Sequence, residues 1–226
     1  MMSFSIAIDG PAGAGKSTIA RQAAERLTFT YVDTGAMYRA IACYLSELGI
    51  DPDDTGAIAK NCTGASIEIR YDNGEQIVLL NGDNVNDKLR TEKVSSMASK
   101  SSAVPEVRAH LLELQRSLAR SGKVIMDGRD IGTTVLPDAD LKIFLTAKPE
   151  VRAKRRYDEY IARGESAVFE EILADIKERD ERDMNRAASP LKQAEDAVLV
   201  DSSDLTPEEV VQRITGLAVE RGCDRG

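Results

Sequence analysis

The sequence predicts an α/β fold: a parallel sheet with crossover helices, carrying an antiparallel unit as an insertion. Two observations carry this. Strand-like and helix-like segments alternate as strand, helix, strand, helix within roughly the first 50 residues, the order that builds βαβ units. Further on, Ser66-Ile67-Glu68-Ile69-Arg70-Tyr71 alternates polar and apolar, turns at Asp72-Asn73-Gly74, and returns as Gln76-Ile77-Val78-Leu79-Leu80. That pattern is a β-hairpin.

Each element follows in chain order. Ser5 to Asp9 is a short apolar run bounded by glycine, a buried strand. Gly10 to Gly15 is a loop, Lys16 to Leu27 is helix-compatible, and Thr28 to Val32 reads as a second strand ending at Asp33. Ala36 to Leu48 has helical composition and stops at Gly49, ahead of Asp51-Pro52. The hairpin follows, closed by a second turn at Asn81-Gly82-Asp83-Asn84. Val104, Val107, Leu111, Leu114 and Leu118 form one apolar helix face started near Pro105. Lys123 to Asp127 and Leu141 to Leu145 read as further strands. Pro149 to Arg163 and Ala167 to Arg186 are charged helices separated by Gly164, and Ala197 to Asp201 is a last strand. Thr206-Pro207-Glu208-Glu209 starts the closing helix with an N-cap and a proline at its first position. The polar stretch from Glu220 to Gly226 is expected to fray. No internal repeat or low-complexity tract is present.

The 226 residues suit about one and a half domains, hence a core with an insertion. Residues 1–57 and 91–226 are assigned to the core and 58–90 to the inserted hairpin. Lysine and arginine total 30 against 38 acidic residues, a net charge of −8. A protein that grips nucleic acid by its phosphates usually has the opposite balance, so nucleic acid is not expected as a partner. No apolar run approaches the roughly 18–20 residues of a membrane span, and the start, Met1 to Ile6, has no basic n-region. A cytoplasmic protein is expected. Cys43, Cys62 and Cys223 are an odd set without paired short spacing, which reads as idle thiols in a reducing compartment. A single histidine, His110, rules out a histidine dyad or a multi-histidine metal site.

The sharpest motif is Gly10-Pro11-Ala12-Gly13-Ala14-Gly15-Lys16-Ser17-Thr18. It matches G-x-x-x-x-G-K-[ST], and it lies between a strand and a helix, the context the pattern requires. Glycines let backbone N–H groups converge on phosphate oxygens, and the helix dipole adds positive potential there. Lys16 reaches β- and γ-phosphates, and Ser17 is the candidate Mg²⁺ ligand. A dinucleotide fingerprint fails, because from Gly13 and Gly15 its third glycine would fall at Thr18. No Asn-Lys-x-Asp guanine reader is present. ATP with Mg²⁺ is the expected cofactor pair, and the acceptor must be sought elsewhere.

Three constellations are candidates for the acceptor side. Asp33-Thr34-Gly35-Ala36-Met37-Tyr38-Arg39 offers a hydroxyl at Thr34 and a planar fork at Arg39 suited to a phosphate; alone it also reads as a capped helix start. Asp127-Gly128-Arg129-Asp130-Ile131-Gly132 lies at the end of an apolar strand, the edge where ligands bind in open parallel sheets. Arg152, Arg155 and Arg156 share a face of the first charged helix. The second helix has an apolar stripe, Phe169, Ile172, Leu173, Ile176, that continues as Arg179, Asp183 and Arg186. A core-facing stripe that turns charged emerges into a cleft. The competing reading makes Glu178–Arg182 and Arg179–Asp183 surface ion pairs at i,i+4, each worth a few tenths of a kcal/mol.

Taken together, these motifs resemble the bacterial cytidylate kinases, a family of nucleoside monophosphate kinases. The resemblance runs from Ile6 to about residue 215, and its most specific part is Ile176-Lys177-Glu178-Arg179-Asp180-Glu181-Arg182-Asp183 together with the two loops after strands. It implies a doubly wound P-loop core with a five-stranded parallel sheet, an enlarged monophosphate-binding subdomain containing the hairpin, and a short helical lid at about residues 150–166. It implies transfer of the γ-phosphoryl group of ATP to CMP or dCMP; a monomer with no membrane partner is expected. By matching positions, Thr34, Arg39, Ser99, Arg108, Arg129, Asp130, Arg179, Asp183 and Arg186 meet the monophosphate. Arg129 and Arg39 hold its phosphate, and Asp130, Arg108 and Ser99 read the cytosine edge. Arg179 and Asp183 contact the sugar, Arg186 sits near the transferring group, and Arg155 is a lid arginine over the ATP phosphates. Lys16, Arg129, Arg155 and Arg186 are the catalytic set. Thr34 stands where relatives often have serine. The alternatives are a kinase of the same architecture acting on UMP, dTMP or a non-nucleotide acceptor, and a nucleotide-dependent switch.

Overall fold

The computed structural model describes residues 3–120 and 122–224; Met1, Met2, Ser121, Arg225 and Gly226 lie outside them. The chain divides into two units, one of residues up to Thr30 with those from Gly122 onward, the other Tyr31–Ser121.

The first unit is organised by β1 (Phe4–Asp9), buried on both faces apart from Ser5, as expected of a central parallel strand. β6 (Lys123–Gly128) lies parallel on one side of it and β7 (Leu141–Thr146) on the other, with β8 (Val198–Asp201) beyond β7. With β2 (Thr30–Asp33), in which the division between the units falls, the sheet has five strands in the order β2-β6-β1-β7-β8. Ile6, Ile8, Ile125, Met126 and Leu141 are fully buried. Each such side chain contributes about 1.5–3 kcal/mol by leaving water. The order reverses beside β1, and ligands of open parallel sheets bind at such a switch point, outside the carboxyl ends of the strands. Asp9 is aligned there with Gly128 on one side and Phe144 on the other.

α1 (Lys16–Leu27) ends at Thr28, whose left-handed backbone (φ 58°) turns its N–H back onto the Ala24 and Glu25 carbonyls. The second strand therefore starts at Thr30 and not at Thr28; a helix cap has taken the first residue of the expected strand. α6 (Pro149–Ala162) and α7 (Phe169–Asn185) pack together through Ala153, Ile172 and Ile176, with Phe169 and Leu173 half-buried alongside. α8 (Pro207–Glu220) opens with a capping box between Thr206 and Glu209. Beyond it, the stretch expected to fray keeps structure to Cys223, which is buried and donates its N–H to the Ala218 carbonyl; Arg225 and Gly226 lie outside the described residues.

The second unit is built on α2 (Thr34–Glu47), with α3 (Thr55–Asn61), α4 (Glu92–Ser101) and α5 (Pro105–Ala119). Its three-stranded antiparallel sheet comprises β3 (Ile67–Asp72), β4 (Glu75–Leu80) and β5 (Asp83–Asn84). Asn73 and Gly74 both take positive φ, the two-residue hairpin turn that this dipeptide favours. The hairpin read at residues 58–90 thus belongs to a unit that also takes in α2, α4 and α5. The lone histidine, His110, is held at 2.8 Å from the Ala65 carbonyl. Among the described residues, no helix is long and apolar enough to cross a membrane.

Candidate active site

In the first unit the site begins where β1 ends. Gly10 has φ 151°, and a Cβ there would lie 1.9 Å from the Leu145 carbonyl oxygen, so no side chain fits at the entry to the loop. Gly15 caps α1 with φ 85° and no side-chain hydrogen bond, and the first turn holds no acidic residue. The orphan N–H groups of the helix are thus left to an anion. Lys16 is buried and folds back, its Nζ donating to the Pro11 carbonyl at 2.8 Å. Burial, and next the charge of Arg129, hold its pKa well below the usual lysine range, while Asp127 pulls the other way. Incoming phosphates would supply the counter-charge this ammonium needs.

Ser17 Oγ donates to Asp127 Oδ2 at 3.1 Å. Asp127 ends the apolar run of β6, so a hydroxyl from the phosphate loop and a carboxylate from the neighbouring strand meet. Both are hard oxygen donors of the kind Mg²⁺ takes, one or two at a time, alongside substrate phosphates. The sequence places Asp127 in an acceptor-side cluster at the end of this strand; the structure adds its pairing with Ser17.

Around them the unit brings together most of the predicted charged residues. Arg129 Nε donates to Asp183 Oδ2 at 2.9 Å, and Arg186 reaches 3.9 Å from both Asp130 and Asp183. Arg186 also donates from Nε to the Ser189 carbonyl. Asp183 is buried, which alone would raise its pKa, yet Arg129, Arg179 and Arg186 carry it below the usual value. The apolar stripe of α7 therefore turns into a buried charged cluster, and Asp183 answers mainly to Arg129, on another element. The surface reading survives one turn away, where Arg182 pairs with Glu178 on the exposed side.

Asp9, the last residue of β1, is a buried carboxylate. Its Oδ1 accepts the Ile131 N–H and its Oδ2 the Gly132 N–H, each at 2.7 Å. Desolvation is the largest influence on it, and its pKa rises from 3.8 to about 6 despite the two amides. Keeping it ionised above pH 6 therefore costs roughly 3 kcal/mol. The two aspartates act oppositely on folding. The stabilisation linked to Asp9 is present below its unfolded pKa and is lost as pH rises through about 6. That of Asp183 is present at neutral pH and is lost as pH falls through its depressed pKa.

The arginines of α6 separate. Arg152 is buried and paired with Asp180 through both guanidinium ends, at 3.1 and 2.6 Å, while also donating to the Ala12 and Ala147 carbonyls. Arg155 is held on the Ser202 carbonyl at 2.6 Å, and Arg156 on the Tyr160 hydroxyl at 2.9 Å. Hence the three do not form one cationic face. Arg152 fastens the phosphate loop to α6 and α7.

In the second unit, Asp33 caps α2 by accepting the Ala36 N–H at 2.9 Å and holds Arg39 Nη2 at 2.8 Å. Gln76, from the hairpin, fixes both backbone groups of Asp33, at 2.8 and 3.1 Å. The inserted strands therefore brace the start of α2, where Thr34 is buried. Four residues along the same helix, the Tyr38 ring carries the Arg108 guanidinium 5.4 Å from its centre. Arg108 also donates to the Ser102 carbonyl at 3.2 Å, and the Ser102 hydroxyl donates to the Ser99 carbonyl. Arg39 and Arg108 are thus held by named partners within this unit, in which Thr34 and Ser99 are buried.

The family model described as Cytidylate kinase matches residues 6–220. The chain is 49% identical over 209 residues to the Cytidylate kinase of Carboxydothermus hydrogenoformans, covering 92% of this chain and 94% of that protein. It is 48% identical to that of Geobacillus kaustophilus, covering 96% and 97%. Among solved structures, a shikimate kinase from Bacteroides thetaiotaomicron shares the fold with a TM-score of 0.50 at 16% identity, covering 96% of this chain and 99% of that one.

Proposed function

The chain belongs to the cytidylate kinase family and phosphorylates CMP or dCMP at the expense of ATP, and we propose that it does so by fixed charges alone, without a general base. The observation that carries this mechanism is the buried Lys16 with the half-buried Arg129, Arg179 and Arg186 around the buried carboxylates Asp127, Asp130 and Asp183. The attacking oxygen belongs to a phosphate whose second pKa is about 6, so it is ionised near neutral pH and no proton need be removed. What opposes reaction is the repulsion of two anions and the charge spread over the transferring group. Positioned cations answer both.

In this reading Gly10 to Thr18 wrap the ATP phosphates and Lys16 bridges toward the transferring one. Ser17 and Asp127 would hold Mg²⁺, which supplies charge neutralisation on the β- and γ-phosphate oxygens. Arg39 and Arg129 grip the CMP phosphate. Arg179 and Asp183 take the sugar, and Thr34 contacts the monophosphate. Arg186 stands by the transferring group, with Arg155 from a lid at about residues 150–166. Release of Arg155 from Ser202 is the movement this requires, and closure excludes the water that would compete as acceptor. Residues 58–90 serve as the inserted part of the monophosphate-binding domain. The enzyme works as a monomer in the cytoplasm.

Asp130, with Ser99 and Arg108, reads the cytosine edge. Cytosine offers an amino donor where uracil offers a carbonyl, and a carboxylate accepts only from the first. Asp130→Asn, which can both donate and accept, is expected to shrink the preference for CMP over UMP by about tenfold or more. Steady-state kinetics on the two nucleotides give the ratio; an unchanged preference would remove Asp130 from base reading. The function is tested by ADP release with ATP and Mg²⁺ over CMP, dCMP, UMP, dTMP and AMP. CMP and dCMP should be the efficient acceptors, and equal use of UMP or dTMP would contradict the assignment.

A further inference from the structure

We propose that Asp9 is a positioning residue for the acceptor nucleotide, its carboxylate holding in place the loop that presents Arg129 and Asp130. The inference rests on the reading of those two residues as CMP contacts. Asp9 ends the central strand, directly before the phosphate loop, and its two oxygens take the amides of Ile131 and Gly132 at 2.7 Å each.

Those amides are the first of a π turn, Ile131–Val135, entered at Asp130. The start of a helical turn leaves its first N–H groups without partners inside the turn, and the residue before it commonly supplies the cap from its own side chain. Here Asp130 makes no side-chain capping bond. The cap comes from Asp9 instead, 122 and 123 positions away in sequence. The amides that open this turn are thus taken by Asp9 and not by the Asp130 carboxylate. The carbonyl side of the turn is closed as well, with the Thr134 and Val135 N–H groups on the Asp130 carbonyl and that of Leu136 on Ile131.

Gly132 fits the same picture. A Cβ there would stand 3.4 Å from Asp9 Oδ2 and 3.1 Å from Cδ of Lys142, whose stem runs beneath the turn to an ion pair with Asp196 at 2.8 Å. The turn is therefore clamped between the Asp9 carboxylate and the Lys142 side chain. An ionised carboxylate buried beside Asp130, which repels it, is a costly way to fill space, and its pKa of about 6 records that cost. Groups so perturbed cluster at functional sites. A single carboxylate, one residue before Gly10, thereby links the loop that takes the donor to the loop that takes the acceptor.

The test is Asp9→Asn. Asparagine keeps the size and one acceptor, but its amino group faces an N–H and cannot take it. With the turn released at one end, the KM for CMP is expected to rise about tenfold to a hundredfold, the range a small misplacement of binding groups produces. The KM for ATP should stay within about threefold. Gly132→Ala, which presses on the clamp from the other side, should shift the CMP KM in the same direction and carries the test if Asp9→Asn does not fold. Arg129→Ala is run beside them. If it leaves the CMP KM unchanged, the reading of this loop as the acceptor's grip is wrong. If it raises that KM while Asp9→Asn leaves it unchanged, the grip stands and the role of Asp9 is overturned. A parallel rise in both KM values, or a fall in kcat alone, would make Asp9 a general support of the fold and also overturn it.

Discussion

Lys16→Ala lowers kcat by about 10²–10³-fold, the usual effect of deleting one preorganised electrostatic donor, while the fold persists. The fold should survive because Lys16 opens α1 and alanine is compatible with a first helical turn. Its bond to the Pro11 carbonyl lies within the loop itself. The loss falls on turnover because the ammonium is buried beside Arg129 and held below its usual pKa when no phosphate is present. It is a charge placed for an anion that the protein does not itself provide. Rapid-quench measurement of ADP formation at saturating ATP and CMP, with circular dichroism as a check on folding, reads the effect. Turnover within a few fold of the parent enzyme would remove Lys16 from the mechanism.

The second large effect falls on stability. Asp180→Ala leaves the Arg152 guanidinium, whose side chain is 3% exposed, without its only carboxylate partner among the described residues. Removing one side of a buried ion pair costs about 3–5 kcal/mol, because the remaining charge stays uncompensated. For a chain of this length that corresponds to a fall in Tm of roughly 6–20 °C. Activity should fall with it, since the same guanidinium holds the Ala12 carbonyl of the phosphate loop at 2.9 Å. Thermal unfolding followed by circular dichroism decides the matter. A change of no more than about 3 °C would mean that Arg152 finds another partner and that the link from the phosphate loop to α7 is not needed.

These two residues differ in how visible they were beforehand. Lys16 was legible because the phosphate-binding pattern is local: nine consecutive residues, Gly10 to Thr18, carry their own geometry between a strand and a helix. The α7 stripe was legible for a similar reason, since 3.6-residue periodicity continues through Ile176 to Arg179, Asp183 and Arg186 whether the face is apolar or charged. Arg152 was not. Spacing placed it with Arg155 and Arg156, but only tertiary structure supplies Asp180, 28 residues on, and a guanidinium is buried only where its partner waits. Asp9 was hidden in the same way, as the end of an apolar strand whose donors come from another part of the chain, and for Asp127 only the partner, Ser17, was out of sight. The short α3 buries only Ile58, and α4 buries Val94, Met97 and Ala98 within a serine-rich stretch, so Ser99 on α4 came to notice only through the family resemblance. At Thr28 the local signal was misleading, because a β-branched residue beside Phe29 and Thr30 looks like strand while serving as a left-handed cap.

The central claim is that positioned cations, with no proton acceptor, bring two phosphates together. A crystal structure with CMP, Mg²⁺ and a non-hydrolysable ATP analogue bound at once tests it most directly. The account predicts Lys16 Nζ and the guanidinium heads of Arg129 and Arg186 within about 2.7–2.9 Å of phosphate oxygens, with Ser17 and Asp127 turned to the metal. Those heads directed into solvent, or a carboxylate seated on the attacking phosphate oxygen as its base, would contradict it.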